Sequence, residues 1–131
     1  MTANIIDGKK IAQETISEIK KSIAKNINDG VSPPGLAVVI VGDNPASAIY
    51  VRNKRIACEE VGMKSFNHDL PEDTSEKELI ELVKSLNNNS EVHGILVQLP
   101  LPDHISETKI IESIDPIKDV DGFHPYTIGR L

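Results

Sequence analysis

The chain has 131 residues, enough for one domain around a single core. Its 20 acidic and 14 basic residues give a net charge of -6, which argues against a general nucleic-acid or anionic-membrane surface because phosphate binding needs a basic face. The lone cysteine, Cys58, cannot form an internal disulfide and reads as a small buried thiol, while the scarcity of aromatics leaves the core to Ile, Val, Leu and Ala.

The first residues show no charged stretch leading into a long apolar run, so neither a signal peptide nor a membrane span is expected, and cytoplasm is the simplest location. Asp7 is placed to cap a first helix. In it Ala12, Ile16, Ile19, Ile23 and Ile27 recur at helical spacing as one apolar face. Asn28-Asp29-Gly30 ends that helix and Pro33-Pro34-Gly35 is loop. Leu36 to Val41 is apolar on both faces and β-branched, as in a central parallel strand, and Gly42-Asp43-Asn44-Pro45 terminates it. A second helix is expected from about Ala46 to Val61, closed by Gly62. Lys64 to Leu70 reads as a more exposed strand. Ser75 with Glu78 forms a capping box for a third helix with Leu79, Leu82, Val83 and Leu86 on its apolar face. Gly94 to Leu99 reads as another buried strand, ended by Pro100-Leu101-Pro102, and a short helix carries Ile110, Ile111 and Ile114. From Asp115 onward the sequence reads as loop. Alternation of this kind predicts an α/β domain, a three-layer α-β-α arrangement with a mainly parallel sheet. Ligands in such folds bind beyond the carboxyl ends of the strands, which directs attention to the segments after Val41 and Val97.

Three segments there are unusual. In the helix after the first strand, Tyr50 and Lys54 are one turn apart and share a face. Placed near the helix N-terminus and facing a cleft, such a lysine is favoured in its neutral form and can exchange protons, and the tyrosine ring can stack. An ordinary exposed lysine beside an amphipathic tyrosine fits the same spacing. Gln98 is a polar residue ending an apolar strand, so its amide needs partners: a lysine amine across the cleft or the backbone of its own loop. Asp119-Val120-Asp121-Gly122 lacks the remaining ligand positions of a calcium loop. It is either a plain turn or the source of a carboxylate that accepts hydrogen bonds from a heterocycle. The histidines, His68, His93, His104 and His124, share no metal-ligand spacing and read as surface or loop residues.

Together these segments resemble the bifunctional methylenetetrahydrofolate dehydrogenase/methenyltetrahydrofolate cyclohydrolase family. The likeness rests on Val41-Gly42-Asp43-Asn44-Pro45-Ala46-Ser47 with Tyr50-Val51-x-x-Lys54, on Gly94 through Pro102, and on Lys118 through Pro125, in that order. The resemblance implies that Lys54 is the catalytic lysine of the cyclohydrolase step, that Tyr50 packs on the folate, that Gln98 holds and tunes Lys54, and that Asp121 binds the pterin. It further implies that Ser47, Val97, Leu99 and Pro100 line or adjoin the pocket. It implies a tetrahydrofolate substrate, NADP as hydride acceptor, no nucleic-acid or membrane partner, and a homodimer at full length. The family continues into a Rossmann-type NADP-binding domain, and no Gly-x-Gly-x-x-Gly occurs here. Residues 1–131 are therefore expected to be the N-terminal folate-binding catalytic domain, with Asp115 to Leu131 leading toward the second domain. Thr127 stands where the family usually has Asn, which puts a local hydrogen bond in question. The alternation alone would equally suit a non-catalytic flavodoxin-like binding module, or part of another two-domain dehydrogenase such as one acting on shikimate.

Overall fold

The structure, a computed structural model, describes residues 2–131. Its elements are α1 (Gly8–Asn28), β1 (Gly35–Val41), α2 (Pro45–Val61), β2 (Lys64–Leu70), α3 (Glu76–Asn87), β3 (Gly94–Val97), α4 (Glu107–Ser113), a 3-10 turn (Pro116–Lys118) and α5 (Pro125–Ile128). The three strands form one fully parallel sheet in the order β2-β1-β3. The expected α/β alternation is therefore present, and the chain reverses direction across the sheet between β1 and β3.

β1 is buried along nearly its whole length because both of its faces are covered. Ala37, Val39 and Val41, with Ile95 and Val97 of β3, meet Leu79, Val83 and Leu86 of α3 and Ile110 near the chain's other end in α4. On the opposite face Val38, Ile40 and Leu96 pack against Val51 of α2. This is the three-layer arrangement, with α2 on one side and α3 and α4 on the other. β2 is the half-exposed edge that its sequence suggested. At Gly35 a side chain would overlap the Glu91 carbonyl oxygen, so β1 can start there only with a glycine.

Local signals fix the helix ends. Asp7 caps α1 by accepting from Lys10 N–H at 3.1 Å. α2 starts at Pro45, with Asn44 as its cap, and ends at Gly62 in the left-handed conformation at φ 85°. The Ser75/Glu78 capping box on α3 is complete in both directions.

Four expectations are corrected. The isoleucine face of α1 is not a core face: only Ile23 is buried, Ile16 is half-buried, and Ile19 and Ile27 remain 42% and 45% exposed. Periodicity reported the helix correctly, but α1 packs chiefly on α2 rather than on the sheet, and one helix covers only a narrow stripe of another. Gly35 belongs to β1 rather than to the preceding loop. β3 ends at Val97, two residues early, because Gln98 donates its N–H to Val39 O at 2.8 Å and the chain then leaves the ladder. The segment after Asp115 is not plain loop, since it holds the 3-10 turn and α5.

These packing differences should be visible in stability. Leu79→Ala, at a site with no exposure, should cost about 2–5 kcal/mol through lost contacts and a residual cavity. Ile27→Ala should cost no more than about 0.5 kcal/mol. Urea unfolding midpoints of the two variants check the contrast.

Candidate active site

The buried face of α2 runs Ser47, Val51, Cys58 and Val61, and Lys54 falls on the same stripe, at spacings of 4, 3, 4 and 3. A half-buried lysine thus occupies a place in the row that packs on the sheet. Lys54 lies in the third turn of α2, beyond the reach of the helix N-terminal charge, so the helix-dipole reason offered from sequence does not apply to it. What meets its amine is the other strand end: Lys54 Nζ donates to Gln98 Oε1 at 2.8 Å.

Both readings of Gln98 hold, one for each end of its amide. Oε1 accepts from Lys54, while Nε2 donates to Leu99 O at 3.0 Å. The orientation is chemically forced, because an ammonium or amine bound through its N–H needs the oxygen of the amide. Ser47, buried at 4% exposure, directs its hydroxyl to the same Leu99 carbonyl at 3.5 Å. Lys54, Gln98, Leu99 and Ser47 therefore form one polar chain that ties α2 to the turn after β3. The Leu99–Pro100 peptide bond in that turn is cis.

A cavity of about 280 Å³ opens here, lined by Lys54, Val97, Gln98, Leu99, Asp121 and Phe123. Five of these six are residues expected at the site. Phe123, quoted only as part of a motif, is an addition. Tyr50 is not on the cavity wall. It lies one turn before Lys54, off the buried stripe and 60% exposed. Pro100 lines a neighbouring depression with Val41, Asn44 and Asp103 instead. Ser47 stands behind the wall rather than on it.

Asp121 brings the opposite charge. The residue stays open to water at its edge while its carboxyl is partly enclosed. That enclosure pushes the carboxyl above its ordinary value; Lys54 pulls it down and Asp119 pushes it up further. Three of the four histidines have hydrogen-bond partners that give them structural work, and His68 lies in β2. His93 Nδ1 accepts from Gly35 N–H at 2.9 Å, His104 Nε2 meets Thr74 O at 2.7 Å, and His124 Nδ1 accepts from Tyr126 N–H at 3.0 Å. Among the described residues no group of three His, Cys, Asp or Glu side chains could hold a metal ion, and no helix is long and apolar enough to cross a membrane. Cys58 is buried, which raises its thiol, with Glu59 adding to the effect.

The turn after β1 is where a dinucleotide pyrophosphate would sit in a Rossmann-type unit. Its residues do not suit one. Asn44 Oδ1 already accepts from the N–H groups of Ala46 and Ser47, at 3.0 and 3.2 Å. Gly42, at φ 82°, faces the Glu72 carboxylate, which a side chain there would overlap, and Asp43 adds further negative charge. The anion-binding end of α2 is thus capped from within and ringed by acids.

A parallel α/β domain with a lysine, an amide and a carboxylate converging beyond the strand ends is the class that fold and site define. Comparison with known proteins narrows it. Residues 6–121 match the family tetrahydrofolate dehydrogenase/cyclohydrolase, catalytic domain. The whole chain is 59% identical to the bifunctional protein FolD of Methylobacillus flagellatus, and covers 45% of that protein's length. The structure superposes on a 5,10-methylenetetrahydrofolate dehydrogenase from the silkworm Bombyx mori with a TM-score of 0.94 at 43% identity, covering 98% of this chain and 44% of that one. It also superposes on the Trypanosoma brucei methylenetetrahydrofolate dehydrogenase-cyclohydrolase, solved with NADP cofactor and inhibitor. That match has a TM-score of 0.93 at 34% identity, over 99% of this chain and 44% of the other. The chain belongs to the tetrahydrofolate dehydrogenase/cyclohydrolase family, in its catalytic domain, and spans rather less than half the length of these relatives. Neither the flavodoxin-like module nor the shikimate-type dehydrogenase describes it.

The raised Asp121 carboxyl has a definite consequence for stability. A group whose value is raised by folding contributes stability that is fully present below its unfolded value and is lost as pH rises through the folded one. Asp121→Asn removes that loss. At about pH 7 the variant should be as stable as the wild type or slightly more so, by no more than about 0.5 kcal/mol since water screens the carboxyl. Below the carboxylate range the difference should vanish. Urea midpoints measured at both pH values check the sign.

Proposed function

We propose that this chain supplies the tetrahydrofolate site and the proton chemistry for one-carbon folate interconversion. The reactions are NADP-dependent oxidation of 5,10-methylenetetrahydrofolate to 5,10-methenyltetrahydrofolate and hydrolysis of the latter to 10-formyltetrahydrofolate. The observation that carries the reading is the 2.8 Å bond from Lys54 Nζ to Gln98 Oε1 in a cavity that Asp121 also lines. Family membership supplies the substrate class.

In the hydrolysis, water adds to the cationic methenyl carbon and surrenders a proton to the Lys54 amine. The adduct then forms its carbonyl as the bond from carbon to N5 breaks, with Lys54 returning a proton to N5; one proton is released overall. A positioned base of this kind contributes about 10²–10⁴-fold. Gln98 Oε1 fixes the amine's direction, which supports its assignment as the residue that holds and tunes Lys54. Asp121 accepts hydrogen bonds from the pterin ring N–H and exocyclic amine. Val97 and Leu99 supply apolar wall, Phe123 a ring edge, and Ser47 braces the turn. Tyr50, an exposed ring one turn before Lys54, is assigned to pack on and orient the folate, and Pro100 as rigid support behind the turn.

NADP, when bound, would take hydride from the methylene carbon. The first strand-to-helix turn does not suit it, so the dinucleotide is assigned to sequence other than these residues. Residues 1–131, with Asp115 to Leu131 leading onward, then act as the folate-binding domain. A homodimer and a cytoplasmic location go with this reading on the strength of the family resemblance.

The test is hydrolysis of 5,10-methenyltetrahydrofolate, followed by loss of its absorbance, alongside equilibrium binding of the stable analogue 5-formyltetrahydrofolate. Lys54→Ala should lower turnover by about 10²-fold or more and leave binding within a few-fold. Asp121→Ala should do the reverse, weakening binding most. Unchanged turnover in Lys54→Ala would sink the assignment.

A further inference from the structure

We propose that Asp119 is the positioning residue of this site: its carboxylate gathers the loop that carries Asp121 and Phe123 onto the cavity they share with Lys54. The proposal rests on the folate reading for its consequence in activity, but its geometry stands independently.

Asp119 Oδ1 accepts from Gly122 N–H at 3.1 Å, and Oδ2 accepts both from His124 N–H at 2.9 Å and from the Thr127 hydroxyl at 3.0 Å. One carboxylate thus closes the backbone on each side of Phe123 and reaches into α5. The three donors form charge-assisted bonds, which are stronger than neutral ones and hold direction as well as distance. Asp119 is itself anchored, since its backbone makes a parallel bridge to Ile95 of β3. The next residue, Val120, presses against Gly94, where any side chain would collide with it. Position therefore passes from β3 through Asp119 to the two cavity residues, with Gly122 at φ 71° making the turn between them. Thr127 supplies the third donor through its hydroxyl. The negative charge of Asp119 also bears on the Asp121 carboxyl, so the same group that sets its place acts on its protonation.

The experiment is a double-mutant cycle on the expressed protein. Asp119→Asn keeps the shape but turns an amide NH₂ toward donors that need an acceptor. It should weaken 5-formyltetrahydrofolate binding on the order of 10-fold. In 5,10-methenyltetrahydrofolate hydrolysis it should raise KM while leaving kcat nearly unchanged, because the Lys54–Gln98 pair is untouched. If Asp119 acts through Asp121, the double variant Asp119→Asn/Asp121→Ala binds no more weakly than Asp121→Ala alone. Losses that simply add, or a fall in kcat as large as the rise in KM, overturn the proposal. Amide hydrogen exchange at Gly122 and His124 provides a readout that needs no folate, and protection there should drop in Asp119→Asn with α3 unaffected. If the wild type binds no folate at all, the function above fails, and the exchange measurement alone decides the positioning role: unchanged protection refutes it. Should Asp119→Asn not fold, Thr127→Val removes one donor from the periphery and should loosen the same amides. Unchanged exchange in that variant again counts against the proposal.

Discussion

Strand β1 is the member on which everything else hangs. Among the described residues it is the only strand with a neighbour on each side, and its side chains meet helices on both faces, so no residue from Ala37 to Val41 can be polar without cost. Its register pairs Val39 with Val97 of β3 and Val41 with Leu70 of β2. β1 and β2 thus run on together after β3 has stopped. The cavity opens where the chain leaves β3, lined there by Val97, Gln98 and Leu99 and from α2 by Lys54.

The two polar walls of the cavity both depend on β3. One is the chain from Lys54 through Gln98 to Leu99 and Ser47, in which each buried polar group finds a partner. The other is the Asp119 loop, bridged to Ile95. An amine comes from one side and a partly enclosed carboxyl from the other, so polar groups face the cavity from both sides before any ligand enters. Substrate polar groups would exchange into a field already set by fixed side chains, which is the economical arrangement for chemistry at a charged carbon.

Much of this was legible in the sequence, for reasons that differ by element. β1 and α3 were readable because burial on both faces and a capping box are local signals. α1 shows the limit of such signals. Its isoleucines have helical period, but period says nothing about how wide the covering surface is, and here it is narrow. Lys54 was singled out for its spacing from Tyr50, yet the more telling signal was its place in the Ser47, Val51, Cys58, Val61 stripe, where a charged residue has no packing reason to be. Tyr50 and Pro100 sit in the right motifs, but one is left exposed off the cavity wall and the other lines a neighbouring depression, which depends on tertiary placement that no motif encodes. Asp119 does not stand out in the sequence, because an Asp-x-Asp-Gly run carries a turn signal and a ligand signal without dividing them between its two aspartates. In the structure they belong to different aspartates, the first organising the turn and the second lining the cavity.

The 3-10 turn before that loop ends on Lys118, whose amine donates to Leu86 O at 3.2 Å and Asn89 O at 2.9 Å, tying it to the last turn of α3 and the connection that follows. Asn87 adds a second clasp, donating to Ser113 O and accepting from Asp115 N–H at 2.8 and 2.9 Å. The surface connection from Asn88 to His93 looks like ground where evolution could insert or delete residues freely, since exposed links of that kind ordinarily tolerate changes in length. Here a residue added before Asn89 would shift its carbonyl away from Lys118 and loosen the turn that leads to the Asp119 loop. The length of this connection, remote from the chemistry, is thereby constrained by the loop it holds and by Val92, which it buries in the core.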